Sequence, residues 1–159
     1  MRKNLVNYSN RGKAFEGEIE GHNHVYRQQN FGFVQKIATP IRTHNGKYWR
    51  EQSTIDFMGV LQGHPISFDA KETIRDSWNI KSGIEDHQID CLMDFHMGGG
   101  KAFVLLNWAK HFNIWMIPIA TLTSLIEDGY KSLKYIHTYK NIIVFNIGFA
   151  DYIKYLDKL

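Results

Sequence analysis

The chain is 159 residues long, with a formal net charge of +3 and one cysteine, Cys91. That length fits a single domain with a substantial core. The lone cysteine excludes an internal disulfide framework and a multi-cysteine zinc site, and it suits a reducing cytoplasm. No apolar run approaches membrane-spanning length, Met1-Arg-Lys-Asn leads into polar residues rather than a signal sequence, and the modest positive charge permits a nucleic-acid partner without requiring one.

Ser9-Asn10 is placed to cap a helix over about 12–29, where Phe15, Ile19, His22 and Tyr26 fall on one stripe. Glu16 flanks that stripe, while Glu18 and Glu20 face solvent. Residues 31–41 alternate as a strand ending near Pro40. Ile41 to Arg50 follows as a hairpin, with Asn45-Gly46 as a type I′ turn. Residues 54–61 and 65–71 are predicted strands joined through Gln62-Gly63. Residues 72–82 are polar and irregular, and a second helix is predicted over 83–97, with Ile84, His87, Gln88, Cys91, Leu92 and Phe95 on one stripe and Gly98-Gly-Gly100 at its end. Strands over 102–108 and 114–119, a short helix over 121–128 and an amphipathic helix over 151–159 complete the chain. The order αβββαββα describes one mixed α/β (α+β) domain over 1–159, with 41–52 as a stalk hairpin. It lacks the regular strand–helix alternation of a doubly wound fold.

The chemistry concentrates where Asp56 is followed thirteen residues later by Asp69-Ala70-Lys71. With Gln62-Gly63 as the turn, Leu61 pairs with His64, and the register carries Asp56 directly opposite Asp69. Phe57 then faces Phe68, and Ile55 faces Ala70, on the other side. Opposed residues stand about 5 Å apart at Cβ, so two carboxylates there repel unless a cation lies between them. Mg²⁺ takes oxygen ligands and commonly uses one or two carboxylates together with a substrate phosphate. Such an ion lowers the pKa of water and polarises the phosphate, and Lys71, on the same face as Asp69, orients the attacking water or stabilises the developing charge. The alternative is a hairpin whose polar face simply meets water, with Lys71 screening the acids.

Glu16 reads either as an outer ligand, if the first helix packs beside the hairpin, or as a solvated helix carboxylate. Gln88 reads either as a holder of the attacking water or as an ordinary buried amide in need of a partner. The hairpin 41–50 interleaves Arg42, His44, Lys47, Tyr48, Trp49 and Arg50, a combination suited to phosphate contact and base stacking. Arg11, Lys13 and Lys101 read either as an extension of the basic surface or as ordinary solvated charges.

Several blocks, in order along nearly the whole chain, resemble RecU, the Holliday junction resolvase family of Gram-positive bacteria and some of their phages. They are Tyr8-Ser-Asn-Arg-Gly12 with Glu16, Thr39-Pro40-Ile41, Ser53-Thr-Ile-Asp56, Phe68-Asp-Ala-Lys-Glu-Thr73, His87-Gln-Ile89 and Asp151-Tyr-Ile-Lys154. The resemblance implies a restriction-endonuclease-like PD-(D/E)xK fold, with a central mixed sheet flanked by helices and a projecting hairpin stalk. It also implies an obligate homodimer, dependence on Mg²⁺ or Mn²⁺, and paired symmetric nicks across four-way junction DNA in the cytoplasm of a bacterial cell, with a recombinase as a further partner. Asp56, Asp69 and Lys71 match the catalytic centre, Glu16 the acid of the first helix and Gln88 the glutamine of the second. Asp56, Asp69 and the Ala70 carbonyl would hold the metal, and Arg11, Arg42, Lys47, Tyr48, Trp49 and Arg50 would meet DNA. The chain departs from cellular members in having Asp69 where Glu is usual, a shorter stalk and no basic N-terminal extension, and it looks like a compact phage-type member. The rival expectations are a less selective branched-DNA nuclease of the same fold and a junction-binding recombination protein that does not cleave.

Overall fold

The computed structural model describes residues 9–38, 41–50, 54–146 and 151–159; the side chains of Arg11, Arg42, Trp49 and Arg50 lie outside that description. The elements are α1 (Ser9–Gln28), β1 (Gly32–Lys36), β2 (Ile41–His44), β3 (Lys47–Arg50), β4 (Phe57–Leu61), β5 (His64–Thr73), β6 (Ser77–Asn79), α2 (Ile80–Gly83), α3 (Asp86–Met97), β7 (Lys101–Trp108), β8 (Asn113–Pro118), α4 (Ile119–Glu127), β9 (Ser132–Lys134) and β10 (Ile143–Asn146). A 3-10 segment, Tyr152–Lys158, follows.

Six strands form one sheet in the order β1-β4-β5-β7-β8-β10. Only β5 and β7 run parallel; the other neighbours are antiparallel. A parallel pair needs a long crossover. Here the crossover contains β6, α2 and α3, and it lays α3 back across β5 and β7. The sheet is mixed and flanked by helices, as the family resemblance implied.

Two cores result. On one face Phe15, Ile19, Tyr26, Phe57, Phe68, Phe103, Tyr152 and Leu156 pack α1 and the C-terminal segment against the sheet. On the other Ile84, Leu92, Val104, Leu106, Trp108, Trp115 and Leu122 pack α3 and α4. The first core contains a ladder of rings across three adjacent strands. Phe57 stacks on Phe68 with centroids 4.9 Å apart, and Phe68 on Phe103 at 4.8 Å. Truncating one such ring typically costs about 3–5 kcal/mol. A one-residue slip of β4 on β5 would take Phe57 out of this ladder and carry Asp56 out of step with Asp69, so the ladder fixes the register of the acids as well as contributing stability.

The turn between β4 and β5 has Gln62 at φ 49° and Gly63 at φ 81°, the paired left-handed conformations of a type I′ turn, and Asn45 (φ 50°) and Gly46 (φ 71°) do the same between β2 and β3. Both hairpins were legible. Other expectations need correction. The strand expected over 31–41 pairs only as β1, and residues 39–40 lie outside the described residues. The strand expected over 54–61 begins at Phe57. Ile55 belongs to the second core rather than facing Ala70, which packs on the first, because the chain bends as it enters β4. The stretch 72–82 is not irregular: β5 runs on to Thr73 and β6 pairs with β9, a contact between residues far apart in sequence. The helix expected over 83–97 is α3, which starts at Asp86, and a separate short helix, α2, precedes it over Ile80–Gly83. β10 was not foreseen, and the last segment is a 3-10 helix rather than the amphipathic helix expected over 151–159.

Candidate active site

β5 is covered on both faces, which the reading of a half-exposed hairpin did not anticipate. Ile66, Phe68 and Ala70 pack into the first core. Ser67, Asp69 and Lys71 therefore turn toward the layer of α3, and Asp69 is fully buried. Phe57 pairs with Phe68, so Asp56 stands one position beyond the end of β4, opposite Asp69. The two acids are interlocked. The Asp56 amide donates to Asp69 Oδ1 at 2.9 Å, and the Ala70 amide donates to Asp56 Oδ2 at 2.9 Å. Within a strand the N–H and C=O of one residue point the same way. The Ala70 carbonyl therefore faces the gap beside Asp56, where β4 has ended.

Burial, reinforced by the charge of Asp69, pushes the Asp56 carboxyl up to about 6. Burial likewise raises Asp69, against the opposing pull of Lys71. Both shifts express one fact: two acids sit out of water with too little positive charge. Asp69 Oδ2 is buried without an aligned hydrogen bond. Its nearest cation is the Lys71 ammonium at 3.2 Å, an ion pair that lacks hydrogen-bond alignment. An orphaned buried oxygen, two hard carboxylates with raised pKa values and a main-chain carbonyl facing the same gap fit a hard divalent cation. Among the described residues no three His, Cys, Asp or Glu side chains converge on one position.

Lys71 donates to Gln88 Oε1 at 3.1 Å. The same oxygen accepts the Glu85 amide at 3.2 Å, which makes Gln88 the N3 residue of the α3 capping box. Gln88 is the buried amide that one of the two sequence readings expected, and its partners show that it closes a helix end and holds the lysine. Glu16 is near enough for its charge to act on Asp56, but its carboxylate is engaged by Lys36 at 2.8 Å, and Glu20 meets the same ammonium at 3.1 Å. Lys36, the last residue of β1 and paired with Phe57, is the site neighbour that sequence reasoning missed. Its position at the end of the strand that leads to the β2–β3 hairpin was the available signal. His87, placed beside Gln88 without a role, lies close enough to oppose the rise of Asp69.

Of the residues expected to meet DNA, Lys47 and Tyr48 are exposed on the β2–β3 hairpin, and Tyr48 is 78% exposed. The side chains of Arg11, Arg42, Trp49 and Arg50 are outside the described residues, as are residues 51–52 at the end of the expected stalk. Lys13 is exposed. Lys101 is removed from the basic surface, because its ammonium donates to the Leu156 carbonyl at 2.5 Å.

The family model for RecU, Recombination protein U, matches residues 10–159. The chain belongs to the RecU family. The protein named Holliday junction resolvase RecU in Lactococcus lactis is 30% identical over 98% of this chain and 79% of its own length. The protein of the same name in Streptococcus gordonii is 31% identical over 99% of this chain and 86% of its own length. Among solved structures, Hjc, a Holliday junction resolvase from Archaeoglobus fulgidus, aligns with 69% of this chain and 78% of its own at a TM-score of 0.46 and 13% identity. No helix among the described residues is long and apolar enough to cross a membrane.

Proposed function

We propose that this RecU-family chain is an endodeoxyribonuclease that resolves four-way DNA junctions, working as a homodimer with Mg²⁺, or Mn²⁺ in its place, in the bacterial cytoplasm. The observation that carries the reading is the interlocked Asp56–Asp69 pair with Lys71 beside it, in a chain whose relatives are named for this activity.

Asp56, Asp69 and the Ala70 carbonyl would hold the cation, which would supply Lewis-acid charge at the scissile phosphate. The chain's own groups do the remaining work. Gln88 keeps the Lys71 ammonium at the edge of the acids. From there Lys71 orients the attacking water and offsets the negative charge that grows as the new P–O bond forms and the ester bond breaks. The cover of α3 and the first core limits bulk water around the acids, which strengthens each of these charge interactions. Glu16, tethered by Lys36, tunes the charge felt by Asp56. Arg11, Arg42, Lys47, Tyr48, Trp49 and Arg50 hold the junction. A two-fold dimer sets two such sites against opposite strands of a pseudo-symmetric substrate.

The test compares nicking of a synthetic four-way junction with nicking of a plain duplex and a flap, with Mg²⁺ and with chelator. Cation-dependent, paired, symmetric nicks on the junction are expected. Equal rates on all three substrates would replace this reading with a less selective nuclease. Junction binding with no nicking in Mg²⁺ or Mn²⁺ would replace it with a binding protein.

A further inference from the structure

β5 and β7 are parallel, with Lys71 beside Leu106 and Thr73 beside Trp108. The turn joining β7 to β8 therefore leaves the sheet at the same end as the catalytic pair and one strand away from it. That turn is a short 3-10 element, Ala109–His111, followed by Phe112. Phe112 has φ 52° and is 71% exposed. Neither property helps the fold. A bulky residue is strained in the left-handed region, and an apolar ring in water gains nothing from burial.

The turn is nevertheless built firmly. Asp76 accepts from the Lys110 ammonium at 2.6 Å and also binds the His111 ring. His111 stacks on Tyr135 with centroids 3.7 Å apart. Asn113 Nδ2 donates to the His111 carbonyl at 2.9 Å and to the Tyr135 hydroxyl at 2.6 Å. A braced turn that presents a strained ring to solvent has the character of a contact element. Among the described residues only Tyr48 matches this exposure for an aromatic side chain. Tyr48 lies on the hairpin inserted between Lys36 and Asp56, which are also at the catalytic end of the sheet. In the strand order β1-β4-β5-β7-β8 the two exposed rings enter on opposite sides of the catalytic strand.

The geometry points to Phe112 as a base-stacking residue: its ring meets an unpaired or splayed nucleobase of the same DNA whose phosphate lies at Asp56, Asp69 and Lys71. At about 3.3 Å per strand residue, the tip stands on the order of 10–15 Å beyond Lys71, the length of roughly three or four base-pair rises. A four-way junction supplies bases with incomplete stacking near its exchange point, and a regular duplex does not. The inference rests on the resolvase reading and adds to it a second contact that favours branched DNA.

The test uses the full-length protein with Phe112→Ala, Phe112→Trp and Phe112→Gly, on a junction carrying 2-aminopurine at successive positions from the exchange point. Affinities are measured on this junction and on a matched duplex. Phe112→Ala is expected to bind the junction about 5- to 100-fold more weakly, the range seen when one stacking ring is removed. It should leave duplex affinity within about twofold and the salt dependence of binding unchanged, since no phosphate contact is lost. It should also lose the fluorescence change that the wild type produces at one position. Phe112→Trp should keep both affinity and signal. Phe112→Gly should lose junction affinity while melting about 2–4 °C above the wild type, because glycine accepts the left-handed backbone without strain. If the wild type nicks junctions but Phe112→Ala binds them within twofold and keeps the fluorescence signal, the resolvase reading stands and this inference falls. If the wild type binds no junction, both fall. Equal losses on junction and duplex would also overturn it, by making Phe112 a general contact.

Discussion

The Lys71 ammonium and the Gln88 side-chain oxygen are 3.1 Å apart, and that same oxygen caps the first turn of α3 through the Glu85 amide. A helix end and the Lys71 ammonium therefore share one acceptor. The position of Lys71 relative to Asp69 depends on α3 being correctly started, although α3 itself brings no carboxylate to the acids.

Gln88→Ala should separate these two roles. Loss of the cap lowers stability by about 1 kcal/mol. Release of Lys71 should lower kcat on a junction roughly ten- to hundredfold, given how steeply rate depends on placement, with KM little changed. Gln88→Glu retains an acceptor for both donors and should recover much of the loss. A fall in KM-controlled binding with kcat intact would show that Gln88 serves the DNA rather than the lysine.

Metal-free protein should carry the signature of the buried acids in its pH dependence. The folded-state pKa of Asp56 is raised to about 6, against about 3.9 for an unperturbed aspartate. The native state thus holds this proton where the unfolded chain has released it. Stability from this group is fully present below about pH 4, falls as pH rises toward 6, and is flat above. Asp69 moves in the same direction. Asp76 and Asp151 are lowered and titrate the other way, so the informative quantity is the difference between wild type and Asp56→Asn. Near neutral pH without metal, Asp56→Asn should be more stable by about 2 kcal/mol, or about 5 °C in Tm, while nicking is lost. A variant that melts lower than wild type at pH 7.5, or that shows the same slope between pH 4 and 6, would contradict the buried-charge account.

Lys71→Ala should reduce nicking by about 10²–10⁴-fold, the usual contribution of a positioned proton-transfer or charge-stabilising group. Junction affinity should stay within severalfold, because Lys71 is largely buried against Asp69 and Gln88 rather than reaching outward. Single-turnover rates and gel-shift affinities separate the two. A loss confined to binding would place Lys71 among phosphate contacts instead.

Much of this site was legible because it depends on local rules. The turn chemistry of Gln62-Gly63 set the pairing of Phe57 with Phe68, and that pairing brought Asp56 to Asp69. The stalk turn at Asn45-Gly46 followed from the same chemistry. What could not be read was whatever depended on distant partners. β6 is three residues that make a strand only because β9 lies beside them. The crossover helix buries Asp69, and nothing in Ser67-Phe-Asp69 signals that both of its faces are covered. Ile55 alternates correctly with Phe57 in sequence but packs in the opposite core, because the strand ends between them. Gln88 was singled out for its buried position, yet its partners, Lys71 and Glu85, required the fold.

On the stalk, Lys47→Ala should weaken binding to all DNA forms and make the salt dependence shallower by about one unit of slope, as expected for one lost phosphate contact. Tyr48→Ala should act on junctions more than on duplex and leave that slope unchanged. Indistinguishable salt slopes for Lys47→Ala and wild type would remove Lys47 from the DNA surface.

In the proposed function Asp56 and Asp69 together hold the catalytic cation, and a Mg²⁺ titration of junction nicking under single-turnover conditions, run in parallel for wild type and Asp56→Asn, tests this. The wild type should be silent in chelator and rise to saturation with Mg²⁺, and Asp56→Asn should stay silent at every concentration while still binding the junction. Nicking that persists in chelator, or an Asp56→Asn protein that cuts at the wild-type rate, would contradict it.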